Sequence, residues 1–321
     1  MFLSPLLTLG QSGGSTSFQA LNLINNARTA ALGGYNTSLA DGDLAMISQN
    51  PALLDSVRSG DVVFMYNPFF ADINALTFQY ATEIGGIGSI AFGLTYVNYG
   101  AFTQTDETGA ESGTFNARDY VLTAGKSHRI GPFVLGANVK FVHSGISGYS
   151  ANALALDLGG LYQLPNSDFS AGMVISNLGI VISDYTESQA DLPIQVTTGI
   201  TFKPEGMPIR FSLTAHNFTD AENKFFEQDD NPNFADNLLK RVSIGGELMF
   251  SQNVHFLFGY DHNRKRELTL EQTAGGAGFS YGFMIRMKKY VFRFSRATYH
   301  AAGGTSYISL QSNLKDLKKI F

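Results

Sequence analysis

Residues 153–164 read ALALDLGGLYQL, and the alternation in this stretch decides the fold class. Leu154, Leu156, Leu158 and Tyr162 share one face of an extended strand, and Ala155, Asp157 and Gly159 share the other. Successive strand side chains point to opposite sides, so a period of two separates a bulky apolar face from a small or polar one. Residues 254–260 (VHFLFGY) and 279–287 (FSYGFMIRM) behave alike. In the latter, Phe279, Tyr281, Phe283, Ile285 and Met287 oppose Ser280, Gly282 and Arg286. Bulky apolar residues facing out against small or polar ones facing in is the pattern of a membrane barrel.

Composition points the same way. Charged residues make up 15% of the 321 residues, against about 25% in soluble domains. Much of the surface therefore does not face water. No window approaches the ~20 consecutive apolar residues of a membrane helix; residues 88–100 (GSIAFGLTYVNYG) are typical of the interrupted runs. Only helices and closed barrels satisfy every backbone group in lipid, which leaves the barrel. The expected fold is all-β: a transmembrane antiparallel barrel of about fourteen strands.

The predicted strands are 61–67, 74–83, 87–98, 114–128, 132–143, 150–164, 168–178, 192–203, 208–218, 239–250, 254–261, 273–286, 289–300 and 305–313. Short turns at 84–86, 129–131, 165–167, 204–207, 251–253 and 287–288 alternate with longer links at 99–113, 179–191, 219–238 and 262–272. Barrels place short turns in the periplasm and long loops outside, so the last strand runs inward and both chain termini lie in the periplasm. Residues 1–10 (MFLSPLLTLG) read as the apolar end of a signal peptide without its positive start. Residues 11–60 differ from the barrel at 61–313, and 314–321 form a periplasmic tail. Within 11–60, residues 18–32 have helical spacing ended by Gly33-Gly34, and Asp43 is placed to cap a short helix stopped by Asn50-Pro51. This segment is either a plug in the barrel mouth or a periplasmic collar.

Nothing in the sequence forms a catalytic centre, and no catalytic, cofactor or metal site is expected. The stretch 278–282 (GFSYG) matches G-x-S-x-G, but that motif needs a turn into a helix, and here the strand alternation continues. The six histidines form no short ligand pair, and Cys is absent. Asp41 and Asp43 with Gly42 lack the remaining positions of a calcium loop, so a turn with a helix cap is expected. Net charge is −5, with no basic stripe for nucleic acid. Arg264-Lys265-Arg266 in an outer loop reads as a solvated turn, or more sharply as a contact for lipopolysaccharide phosphates.

The outer loops are acidic. Asp106, Glu107 and Glu111 lie in 99–113; Asp184, Glu187 and Asp191 in 179–191. The loop 219–238 sets Phe225, Phe226 and Phe234 among Glu227, Asp229 and Asp230. Aromatic residues ringed by charge suit a partner interface, and these six are the candidate partner-binding residues.

Residues 27–54 (ARTAALGGYNTSLADGDLAMISQNPALL) carry an Ala-rich run with Ala27-Arg28 and Gly33-Gly34, then the acidic turn 41–43, then Asn50-Pro51-Ala52-Leu53. This resembles the signature of FadL-like barrels of the PorV/PorQ group, and residues 292–312 (FRFSRATYHAAGGTSYISLQS) are similar to the C-terminal part of that group. The resemblance implies an outer-membrane protein of the type IX secretion system of Bacteroidota. There it would anchor the cell-surface attachment complex, with PorV, PorU and PorZ as partners and lipid around it. The alternative is a FadL-type channel for hydrophobic small molecules.

Overall fold

The computed structural model describes residues 18–70, 72–106, 109–185, 191–216, 218, 239–268, 276–300 and 303–317. Fourteen strands, β1 to β14, pair in chain order, each antiparallel to the next, and β1 (Asp61–Pro68) closes the barrel against β14 (Gly303–Asn313). The tallest part of the wall comprises β3 (Gly88–Thr105), β4 (Glu111–Ile130), β5 (Phe133–Ile146), β6 (Tyr149–Gln163) and β7 (Phe169–Ser183). The opposite wall is lower: β8 (Gln195–Phe202), β9 (Ile209–Ala215), β10 (Val242–Met249) and β11 (Val254–Asp261) have seven or eight residues each. The remaining strands are β2 (Asn74–Ile84), β12 (Phe279–Met287) and β13 (Tyr290–His300).

The alternation of the sequence is the in–out alternation of the wall. On β6, Leu154 and Leu158 are exposed on the outer face, whereas Ala153, Ala155 and Asp157 are buried. Phe279 and Tyr281 face out on β12 with Ser280 buried between them. The barrel has no apolar core of its own between sheets. Its interior is filled by residues 18–57, which put Leu32, Leu44, Met46, Leu53 and Leu54 fully out of contact with solvent. The segment packs against the inward faces of the strands.

Two expectations are corrected. Residues 99–113 are mostly strand: β3 and β4 continue as a paired ribbon, Ala101–Asn116, above the point where β4 begins to pair with β5 at Ala117. Cross-strand pairing carries both strands past the wall, with Phe102 opposite Phe115 and Thr103 opposite Thr114. Of the predicted strand 273–286, residues 273–275 lie outside the described residues and 276–278 are a turn: Gly278 adopts a positive φ of 88° and leads the chain into β12 at Phe279.

Candidate functional site

The interior segment opens with a 3-10 turn, Gln19–Asn22, followed by helix α1, Ala27–Ala31. Asn26 caps α1 by accepting hydrogen bonds from the Arg28 and Thr29 amides. Two further 3-10 turns, Leu44–Ser48 and Pro51–Ser56, are capped by Asp43 and Asn50. The side chains that can end a helix are thus the ones that shape this compact plug.

The wall is cut to receive it. Gly136 on β5 pairs with Gly159 on β6, and Gly172 on β7 pairs with Gly199 on β8. A methyl group at Gly136 would overlap Pro51 and Ala52; one at Gly159 would overlap Asn50; one at Gly172 would overlap the Thr37 carbonyl. Across the lumen, Gly245 and Gly259 are a cross-strand pair, and side chains there would overlap residues 31–33. Glycine lets the plug backbone lie flush on the strands. Ser280 completes this seat: its hydroxyl donates to the Ala31 carbonyl at 3.0 Å. It lies within β12 and not on a turn from strand into helix, so the G-x-S-x-G match is part of the plug seat.

Toward the periplasmic end the plug is tied by charge. Arg28, 2% exposed, donates to both oxygens of Glu247 on β10 at 2.8 Å, and to Asp41 at 2.8 and 2.7 Å. Glu247 also meets Arg210 at 3.1 Å and His255 Nδ1 at 2.7 Å. Asp43, besides capping, lies 3.2 Å from Arg293 on β13. Burial alone would raise the Asp41 carboxyl, but the Arg28 and Arg210 guanidiniums override it and hold it well below the usual range. Burial disfavours the charged Arg28 as well, and Asp41, Glu247 and Asp43 more than restore it. Asp41 and Asp43 are therefore counter-ions of the plug.

The outer half of the lumen has two zones. Val97, Val121, Val142, Ala151 and Ala153 form an apolar patch on the inner wall, against which Phe18, Leu21, Leu23 and Leu192 pack. Tyr99 donates to Asp119 at 2.7 Å, and Ser144, itself receiving the Tyr185 hydroxyl, donates to the same carboxylate. Below the patch is a chamber of about 90 Å³ between residues 20–25 and the plug, lined by Asn, Gln, Thr and Ser side chains. On the opposite side, His216 stacks on Tyr35 at 3.9 Å and lies 3.4 Å from Asp261. Arg264 is 7% exposed and donates to the Gly33 carbonyl at 3.2 Å. That overturns its reading as a solvated or lipopolysaccharide-binding residue, because the helix His262–Leu268 turns it into the lumen.

Phe225, Phe226, Glu227, Asp229, Asp230 and Phe234 lie outside the described residues, as do Glu107 and Glu187. Asp106 and Glu111 are exposed near the tip of the β3–β4 ribbon. Among the described residues, no group of His, Asp and Glu could hold a metal ion. The sequence assigned no role in the lumen to Arg28, Glu247, Arg210, Arg293, His216 or His255. The available signal was charge at inward-facing strand positions, which a lumen must neutralise.

No family model matches the chain, and no curated protein matches it. Solved structures do. The Ralstonia pickettii toluene transporter TbuX has a TM-score of 0.53 at 14% identity, covering 91% of this chain and 99% of that one. In fold the chain is similar to FadL-like outer-membrane barrels. The TodX monoaromatic hydrocarbon channel (TM-score 0.53, 13% identity, 90% and 97% covered) and a Pseudomonas aeruginosa FadL homologue (0.52, 10%, 90% and 98%) share the FadL-like architecture. At such identity the likeness concerns the fold; the FadL-like barrel here is defined by its fourteen strands and its interior segment.

Proposed function

We propose that this protein is an outer-membrane channel for small, largely apolar molecules. The observation that carries this reading is the apolar patch inside the outer lumen, around Val97, Val121 and Val142. A pore for ions or sugars gains nothing from an inward-facing apolar wall, whereas a site for an apolar solute needs one. TbuX, a toluene transporter, and TodX, a monoaromatic hydrocarbon channel, lend support through their common fold. The plug keeps its seat on the glycines, and the part in the way of a solute is residues 18–25, of which Phe18, Ala20, Leu21 and Leu23 cover the apolar patch. The test is uptake of a labelled aromatic hydrocarbon by cells with and without the protein. Equal uptake in both strains would sink the channel.

A second reading is the surface anchor of the type IX secretion system that the sequence resemblance implies, with PorU, PorV and PorZ as partners. It is favoured by the ribbon formed by 101–105 and 111–116, which continues beyond the pairing of β4 with β5, stacks Phe102 on Phe115 at 5.3 Å and exposes Asp106 and Glu111 nearer its tip. Replacing 219–238, or the ribbon tip, by a short Gly-Ser turn would then release a surface partner on co-purification while the barrel stays inserted. Retention of the partner with altered hydrocarbon uptake would favour the channel.

A further inference from the structure

Residues 18–25 divide their side chains between the two zones of the outer lumen. Phe18, Ala20, Leu21 and Leu23 pack on the apolar patch. Asn25 donates to the Thr77 hydroxyl at 3.2 Å, and Asn22 accepts from the Asn177 amide at 3.4 Å, both in or beside the chamber. The occupant of this site in the structure is thus amphiphilic, with aliphatic and aromatic groups above and neutral amides below.

The chamber is built for such a head group. Among the described residues its one charged lining residue is Lys140, and that charge is already matched, 2.7 Å from Asp157 and 3.0 Å from the Asn177 side-chain oxygen. The other polar groups are amides and hydroxyls. Gln79 is 5% exposed and lines the chamber, yet its side-chain oxygen has no hydrogen-bond partner. An unpaired buried acceptor is costly, and a donor on a bound molecule would satisfy it. A carboxylate would bring a second negative charge beside Asp157 with no free cation to receive it, which a partly desolvated site penalises.

We infer that the site formed by the apolar patch and the chamber takes an amphiphile with a neutral, hydrogen-bonding head: a primary amide or alcohol on an apolar body. A carboxylate is excluded. This rests on the channel reading and deepens it. The patch holds the body where Leu21 and Leu23 now lie, the chamber holds the head where Asn22 and Asn25 now lie, and binding displaces residues 18–25.

The experiment compares dodecanamide, dodecanoate and dodecane at pH 7.5, as equilibrium binding to the full chain in lipid nanodiscs with empty nanodiscs subtracted. Dodecanamide should bind at least about tenfold more tightly than dodecanoate, because only the latter buries an unmatched charge. Gln79→Leu should weaken dodecanamide by about 3- to 10-fold, the worth of one hydrogen bond, and leave dodecane unchanged. Both variants are checked for heat-modifiable gel mobility, and Thr123→Val serves as a second head-group variant if Gln79→Leu fails to insert. Equal or tighter binding of dodecanoate overturns the head-group inference while leaving the channel standing. Absence of binding by all three ligands, joined to unchanged hydrocarbon uptake, removes the channel reading and this inference with it.

Discussion

Arg28→Met tests whether charge holds the plug in the barrel. Arg28 and Glu247 are 2% and 1% exposed, so their paired contact at 2.8 Å is screened very little. Asp41 is 27% exposed, and its share is discounted accordingly. Removing one partner of a buried pair costs about 3–5 kcal/mol, since the charge left behind has lost its counter-ion. Arg210 and His255 remain beside Glu247, which argues for the lower end. About 3 kcal/mol is roughly a hundredfold in the equilibrium between seated and released plug. The chain has no Cys, so Ala30→Cys, at 0% exposure, supplies a single buried thiol. Its labelling rate by a soluble maleimide reports the released fraction. The expected result is about a hundredfold acceleration in Arg28→Met. Adding Glu247→Leu should slow labelling again, because Arg210 and Arg293 then remain to match Asp41 and Asp43. An acceleration under about tenfold, with the barrel still heat-modifiable, would refute the reasoning.

Neighbouring glycines give a sharper contrast. Gly159→Ala should destabilise by about 1–3 kcal/mol through overlap with Asn50 and Pro51, while Gly160→Ala, with no neighbour within 4 Å, should stay within about 0.5 kcal/mol; the unfolding midpoint on gels after graded heating checks both. Ser280→Ala should cost about 0.5–1.5 kcal/mol by stranding the Ala31 carbonyl and leave phospholipid hydrolysis at the level of empty vesicles; loss of a hydrolytic activity would revive the nucleophile. Because the folded Asp41 carboxyl is held below its ordinary value, its contribution is complete above the unfolded pKa and is lost as pH falls through the folded one. Plug-thiol labelling, normalised to denatured protein, should therefore be flat from pH 7 to about 5 and rise only below about pH 4; a rise between pH 7 and 5 would contradict this assignment.

The wall was legible because its signal is local. Alternation at 153–164 and 279–287 gives face and strand together, and the turn residues give the phase of the loops. The ribbon above Asn98 was missed because Gly and Thr leave little contrast between faces, so period two fades while pairing persists. The plug was visible as a segment through its caps, Asn26, Asp43 and Asn50, but its position in the lumen was not. What places it are pairs such as Arg28 with Glu247, 219 residues apart, and glycines whose purpose shows only when the opposing backbone is known. Arg264 misled for the same reason: three basic residues in a row look solvated until a short helix turns one of them inward. The apolar patch was hidden because Val97, Val121 and Val142 obey the strand alternation while breaking its polarity.

The glycine seats also order events during assembly. Residues 18–57 are the first described part of the chain to be made, but Gly245, Gly259 and Ser280, which receive residues 31–33, are among the last. Until β10 to β14 join the sheet, α1 has no wall to lie against and Arg28 lacks its counter-ion on the wall, Glu247. The earliest segment is thus the latest to settle, and its docking reports that the wall around it is complete.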